Sequence, residues 1–377
     1  MRIAVNCRLL LKDRLEGIGR FAHETLQRLA TQHPEHQFIF IFDRPWDEQF
    51  IYSSNVIPVQ VSPQARHPFL YYIWFEWQLP RIFKKYKADI FFSPDGYLSL
   101  SAQLPQIQVI HDLAFEHFPD GVSAINRWHY QHYFPKYAKK ASHIIAVSAY
   151  TKKDIQDTYH IDASKITVAG NAASSGFKPL EAIKQQEVRT QYSQGLPYFL
   201  FTGAMHPRKN LGNLLLGFDY FKLQTGSAYK LLITGREGWK NENMQEIYKG
   251  MQYKDDVIFT GRVSEIELYK LVASAFAMCY ISLFEGFGIP IIEAMQCGVP
   301  VITSTTSSMP EVAGNAALLA HPHSPTEIRD AMIELASNEQ LRKNLIEKGI
   351  SRALDFTWQK TADILWNEII IYNQPSP

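Results

Sequence analysis

Short β-rich runs alternate with amphipathic stretches from one end of this 377-residue chain to the other, and that alternation admits few folds. The pattern predicts strands near residues 3–7, 38–42, 56–61, 89–93, 108–111 and 143–148. Helices are predicted near 17–30, 69–86 and 122–140. The segment 170–197 breaks the rhythm. It is polar, carries Gly170, Gly176, Pro179, Gly195 and Pro197, and reads as a linker. The alternation then restarts, with strands expected near 198–202, 230–234, 257–260, 278–281 and 300–303, each followed by a helical stretch. The expectation is an α/β chain of two doubly wound, Rossmann-like domains, residues 1–175 and 176–355. A last helix within 356–377 would return to pack on the first domain. Ligands on such sheets bind beyond the carboxyl ends of the strands, so two facing sheets would share a central cleft.

Composition narrows the function. Hydrophobic residues make up 46% and charged residues 20%, as in a globular protein, and the net charge of +1 argues against a general nucleic-acid binder. The charge is uneven, +4 over residues 1–180 and −3 over the rest, which suits either an anionic acceptor or membrane surface on the front half, or ordinary scatter. Cys7, Cys279 and Cys297 form no CxxC pair, and Cys7 and Cys279, in apolar strand-like runs, read as buried thiols in a reducing compartment. The start MRIAVNCRLLLKDR does not read as a signal peptide, because Arg8 and Lys12 interrupt its apolar stretch, and no apolar run approaches the ~20 residues of a spanning helix. A cytoplasmic protein is expected, at most peripheral at the inner face of a membrane.

The most informative stretch follows the predicted strand 278–281 directly and runs from Phe284 to Met295, FEGFGIPIIEAM. Gly286 and Gly288 let backbone approach a ligand closely. Pro290 is tolerated only in a first helical turn, so a helix starts at Gly288–Ile289, and its N–H groups and dipole favour a phosphate. Glu285 precedes that helix and Glu293 lies in its first turns. Two carboxylates so placed suit the hydroxyls of two sugars on either side of a diphosphate. A capping acid and a solvated helix residue is the plainer account, but it leaves the glycines unexplained.

These residues carry a resemblance. Glu285-x7-Glu293 within EGFGIPIIEAMQCGVPVI resembles the signature of retaining glycosyltransferase family 4, whose fold is GT-B. The match continues through Ser308–Gly314 and Ala317–Leu319, through Thr202-Gly203-Ala204-Met205-His206-Pro207-Arg208-Lys209-Asn210, and through His111-Asp112-Leu113. With Ser93-Pro94 and Phe356-Thr357-Trp358, it is most similar to the mannosyltransferase-type members that build surface polysaccharides. The resemblance implies that Glu285 contacts the transferred sugar and Glu293 the ribose. It further implies that the backbone of Phe287, Gly288 and Ile289 faces sugar and diphosphate, beside Gly203, and that Arg208 and Lys209 bind the diphosphate. Two fixed cations would stabilise that leaving group without a metal or other cofactor. The resemblance makes His111 a sugar-contacting residue near the anomeric carbon, with Asp112 beside it. It puts Gly17 and Gly19, at the start of the first helix, along the donor or acceptor side of the cleft.

Other signals are weaker or missing. No Asp-x-Asp follows a strand, and no HExxH, Cys/His cluster or GxxxxGK[ST] points to a metal or an ATPase site. The aromatic run 69–77 reads as a well-buried helix, or else as an interfacial patch beside Lys84, Lys85 and Lys87 where a lipid-linked acceptor docks. The expected function is transfer of a sugar, mannose from GDP-mannose first, from a nucleotide-sugar donor to a saccharide or lipid-linked acceptor. A nucleotide-sugar epimerase and a non-catalytic sugar-nucleotide-binding subunit share the architecture.

Overall fold

The computed structural model describes residues 1–12, 15, 17–236 and 242–372. The chain divides into two compact units, Met1–Asn171 with the segment from Thr357 on, and Ala172–Phe356.

The N-terminal unit is built on β1 (Arg2–Asn6), β2 (Gln37–Phe42), β3 (Val56–Gln60), β4 (Ile90–Ser93), β5 (Gln106–Ile110), β6 (His143–Ala146) and β7 (Ile166–Val168). They form one parallel sheet in the order β3-β2-β1-β4-β5-β6-β7. Runs such as Phe38–Phe42 are buried throughout, because helices cover both faces and no side of the strand meets water. The order reverses between β1 and β4, which leaves a crevice outside their carboxyl ends. The helix Trp358–Tyr372 packs on the helix Gly17–Gln32 of the same unit. Trp358 meets Phe21 edge to face at 6.0 Å, and Trp366 stacks on His33 at 3.5 Å.

The second unit repeats the plan with β8 (Tyr198–Thr202), β9 (Lys230–Thr234), β10 (Val257–Gly261), β11 (Ala277–Tyr280), β12 (Val301–Ser304) and β13 (Ala317–Ala320). All are parallel, in the order β10-β9-β8-β11-β12-β13, and the reversal falls between β8 and β11. The ends of β8 and β9 touch so closely that a Cβ on Gly235 would lie 1.9 Å from the Gly203 carbonyl oxygen. Both glycines also have positive φ, a backbone conformation that side chains strain, and at Gly235 the clash leaves no room for one.

Two expectations need correction. Residues 170–197 are not linker throughout, since Ala182–Ser193 forms a helix that packs against the helix Glu265–Ser274. Only Val188 and Ser193 of that helix are buried, so its sequence is polar almost all round and shows no apolar stripe. Residues 69–86 are not one regular helix. An α-helical turn at Pro68–Tyr72 passes into a π-helical turn, Ile73–Gln78, and then into the helix Leu79–Tyr86. Pro80 accounts for the wide turn. It has no N–H to give the Glu76 carbonyl and its ring would clash there, so the Leu79 N–H bonds the Trp74 carbonyl instead. Ser101 Oγ donates to the Glu76 carbonyl at 3.0 Å in its place.

Candidate functional site

In the second unit the predicted residues converge at the β8/β11 reversal. After Gly203, the turn Pro207–Lys209 is capped by His206, whose ring accepts from the Arg208 N–H, and is closed by Asn210 in the left-handed region at φ 61°. Asn210 ties this turn to the neighbouring strands by donating to the carbonyls of Ile281 at 3.0 Å and Pro322 at 2.6 Å. The turn and the loop after β11 are zipped together where the Leu283 N–H donates to the Arg208 carbonyl at 2.8 Å.

That zipper brings three charges to one point. Arg208 Nη1 lies 2.6 Å from Glu285 Oε2, and Lys209 Nζ lies 2.6 Å from Glu285 Oε1. Arg208 also donates to the Phe284 carbonyl at 2.9 Å, and Lys209 to the Tyr280 hydroxyl at 2.5 Å. Glu285 is buried. Burial alone would raise its pKa, but Lys209 and Arg208 outweigh that and hold it down at about 2. The triad therefore carries a net charge of +1. Each carboxylate oxygen has taken one cation, and the Tyr280 hydroxyl, which accepts from Lys209, also bonds the Glu285 carboxylate.

The loop beneath Glu285 is pinned by a run of hydroxyls. Ser307 Oγ accepts from the Glu285 N–H at 3.1 Å, and Ser308 Oγ donates to the carbonyls of Glu285 and Phe287, both at 2.9 Å. Gly288, at φ 99°, caps the helix Ile289–Gln296, with Pro290 in its first turn as the sequence requires. Phe287 is buried edge to face against Phe356 at 5.5 Å. Glu293 is half-buried on the same helix, in the turn after Ile289. Sequence reasoning missed Tyr280, Asn210, Ser307 and Ser308 as parts of this site. A tyrosine ending a buried strand and a Ser-Ser pair before Met309-Pro310 were the available signals.

In the N-terminal unit His111 follows β5. Its Nε2 lies 2.8 Å from the Pro94 carbonyl oxygen, which can only accept, so Nε2 carries the proton and Nδ1 is the ring's acceptor. Burial lowers the His111 pKa, against smaller upward pulls from the Pro94 bond, Asp112 and Asp95, so the ring is neutral near pH 7. Its edge meets Phe21 at 5.0 Å. Asp112 Oδ1 accepts from the Ala114 N–H at 2.9 Å, just before the short helix Ala114–His117. Gly19 is buried, with the Leu9 carbonyl oxygen 2.7 Å from where a Cβ would sit, while Gly17 is exposed at φ 39°.

The β1/β4 reversal of this unit holds a network that sequence reasoning did not find. Arg8, after β1, pairs with Asp95, after β4, at 2.5 Å, with side chains only 6% and 3% exposed. Asn6 Nδ2 donates to Asp95 Oδ1 at 2.7 Å and to Ser93 Oγ at 3.0 Å. The guanidinium lies over the rings of Tyr71, Trp74, Phe75 and Tyr97, the last at 4.6 Å.

Two parallel doubly wound units, with cations, a carboxylate and a helix N-terminus gathered where one sheet reverses, define the GT-B class of glycosyltransferase architecture. Comparison with known proteins agrees. Residues 15–174 match the family model "Glycosyltransferase Family 4" and residues 179–352 match "Glycosyl transferases group 1". The chain is 27% identical to the O-antigen chain mannosyltransferase B of Escherichia coli over 374 residues, covering 93% of this chain and 94% of that one. It is 28% identical over 279 residues to the O-antigen chain mannosyltransferase RfbU of Salmonella typhimurium, covering 73% and 74%. Its fold resembles that of Anabaena HepE, solved in complex with UDP-glucose, with a TM-score of 0.75 at 14% identity, covering 98% and 99%. The chain belongs to glycosyltransferase family 4, in its mannosyltransferase-like group.

Proposed function

We propose that this glycosyltransferase moves mannose from GDP-mannose, with retention of configuration and without a metal ion, onto a saccharide or lipid-linked saccharide acceptor in surface polysaccharide synthesis. The observation that carries the reading is the Arg208–Glu285–Lys209 triad, with Glu285 buried between its two half-buried cations, beside the N-terminus of the helix Ile289–Gln296. A diphosphate gains negative charge as its sugar departs. Arg208, Lys209 and the backbone N–H groups of Gly288 and Ile289 lie where such charge is stabilised. Glu285 holds the transferred sugar, Glu293 the ribose, and Gly203 and Phe287 shape the donor site. His111, neutral and tied to Pro94, offers Nδ1 to a sugar hydroxyl. Gly17, Gly19 and Asp112 line the acceptor side. The choice of mannose and of polysaccharide is supported by the O-antigen mannosyltransferases of E. coli and Salmonella, and that of a nucleotide sugar by the UDP-glucose complex of Anabaena HepE. A lipid-linked acceptor would bring the protein to a membrane face.

The test is thermal unfolding with GDP, GDP-mannose, UDP, UDP-glucose and ADP. A ligand that binds only the folded chain at 100 times its Kd adds about 2.7 kcal/mol of stability. GDP and GDP-mannose should raise the midpoint most. Stabilisation by the two uridine ligands or by ADP instead would overturn the donor assignment, and none by any of them would overturn the reading of the triad. Once a donor is known, an NMR spectrum of the product reads the anomeric configuration directly.

Because fixed cations and a helix N-terminus face the diphosphate in this proposal, transfer should persist in EDTA at close to its original rate. Loss of activity restored by added Mg²⁺ or Mn²⁺ would contradict it.

A further inference from the structure

Among the described residues, large exposed apolar side chains concentrate on two neighbouring elements of the N-terminal unit. Phe69, Tyr72 and Trp77 stand on the helical run 68–86, with Phe69 66% and Trp77 55% exposed. Ile125 and Trp128 stand on the helix Ala124–Lys140, with Trp128 57% exposed. Phe69 and Tyr72 are three apart and share a face, as do Ile125 and Trp128. The π-helical turn adds Trp77 to the first set. Residues five apart stack in such a turn, and the Tyr72 and Trp77 rings lie 6.3 Å apart. Tyr133 joins the two sets, 6.2 Å from Trp128 and within electrostatic reach of Tyr72 and Glu76.

The two elements also share a direction and a charge. Tyr71 meets His129 at 5.3 Å, and the Tyr97 ring bridges Phe75, at 5.2 Å, to Phe134 and Tyr137, at 5.2 and 6.1 Å, so later residues of one element lie beside later residues of the other. Each begins aromatic and ends basic, the first with Arg81, Lys84 and Lys85, the second with Lys136, Lys139 and Lys140. Together with Arg127, which pairs with Asp120, they hold seven Lys and Arg and one acid, Glu76, in a chain of net charge +1. That acid is engaged elsewhere, accepting from the N–H groups of Leu100 and Ser101, both at 2.8 Å.

We infer that this surface docks on an anionic lipid bilayer, with the aromatic end entering the boundary between headgroups and acyl chains and the basic ends meeting acidic headgroups. Tryptophan and tyrosine suit that boundary because one part of the ring system is apolar and another can hydrogen-bond, and the charge pattern fits a negative surface. Among the described residues no helix is long and apolar enough to cross a membrane, and this mode requires none.

The experiment is flotation of the full chain with vesicles of phosphatidylcholine alone or mixed with phosphatidylglycerol. It uses no donor or acceptor, so its outcome is independent of the proposed reaction. The protein should float with the mixed vesicles and be released by high salt. Phe69→Ser and Trp128→Ser should each weaken partitioning about tenfold or more, and Lys84→Gln and Lys85→Gln about fivefold each, with unfolding midpoints unchanged. Ile183→Ser, an exposed apolar site in the other unit, should have no effect. Equal binding to both vesicle types, no binding to either, or loss of binding in Ile183→Ser would each overturn the inference. So would a dimer in sedimentation velocity that Trp128→Ser dissolves, because the patch would then be covered by a second copy.

Discussion

Glu285→Gln should lower the thermal midpoint by about 6–12 °C, yet bind nucleoside diphosphate at least as tightly as the parent protein. The side chain keeps its shape but loses its charge, which leaves Arg208 and Lys209 largely desolvated without a counter-ion. Breaking such a pair costs about 3–5 kcal/mol, here toward the lower end because an amide oxygen still accepts, and each kcal/mol shifts the midpoint about 2–4 °C in a unit of this size. The triad's charge rises from +1 to +2, so an added diphosphate restores more than the carboxylate supplied, and ligand should stabilise the variant more than the parent. Turnover should fall about 10–150-fold, the worth of a charged hydrogen bond to the sugar at roughly 1.5–3 kcal/mol. Glu293→Gln should behave differently and weaken nucleotide and donor binding together, since the ribose is common to both. Calorimetric titration of both variants decides. If Glu285→Gln abolished nucleotide binding while Glu293→Gln left it intact, the donor would lie the other way round.

The same carboxylate gives the parent protein an acid limit. Its pKa in the folded chain, about 2, lies below the ordinary glutamate value of 4.5. Its contribution is therefore present above about pH 4.5 and lost as pH falls toward 2. Over that range it amounts to about 3 kcal/mol, in line with the cost expected for the Gln substitution. Glu285→Gln should remove this part of the pH dependence, leaving a flatter stability profile through the acid range.

Local chemistry is what the sequence makes readable. Pro290 and Gly288 fix where the helix Ile289–Gln296 begins, because a proline and a positive φ restrict backbone wherever they occur. Strands such as Phe38–Phe42 announce themselves because burial on both faces demands an unbroken apolar run. The helix Ala182–Ser193 does not, since it buries too little to need a stripe. The π-helical turn depends on a carbonyl satisfied by Ser101 from another segment, which helical periodicity does not reveal. In the site, Arg208, Lys209 and Glu285 are each legible as residue types suited to a donor. Their mutual neutralisation is not, because the partners lie 76 and 77 positions apart and meet only when β8 and β11 become neighbours. Arg8 is harder still. A lone arginine after an apolar strand reads as a break in hydrophobicity, and only the β1/β4 pairing supplies its aspartate.

That pair should prove as sensitive as the triad. Asp95→Asn should destabilise the N-terminal unit by about 3–5 kcal/mol, a fall of roughly 6–20 °C, because it strands a buried guanidinium that does not deprotonate near neutral pH. Burial by itself would lower the Arg8 pKa, but Asp95 and the adjoining phenols keep it above its ordinary value, so loss of the proton offers no relief. The four aromatic rings around the guanidinium recover only part of the loss. Arg8→Met combined with Asp95→Asn should therefore be more stable than Asp95→Asn alone, because no charge is left buried. Strict additivity in that cycle would mean that the two residues do not depend on each other. The effect should also reach His111. Asp95 accepts from Asn6 and from the Tyr97 N–H at 3.3 Å, and so anchors the loop whose Pro94 carbonyl holds the imidazole. Ring-nitrogen NMR shifts should report a single Nε2–H tautomer in the parent and a mixture in Asp95→Asn, at temperatures where both are folded. An unchanged tautomer would confine Arg8 and Asp95 to a structural role and leave the orientation of His111 to Phe21 and burial alone.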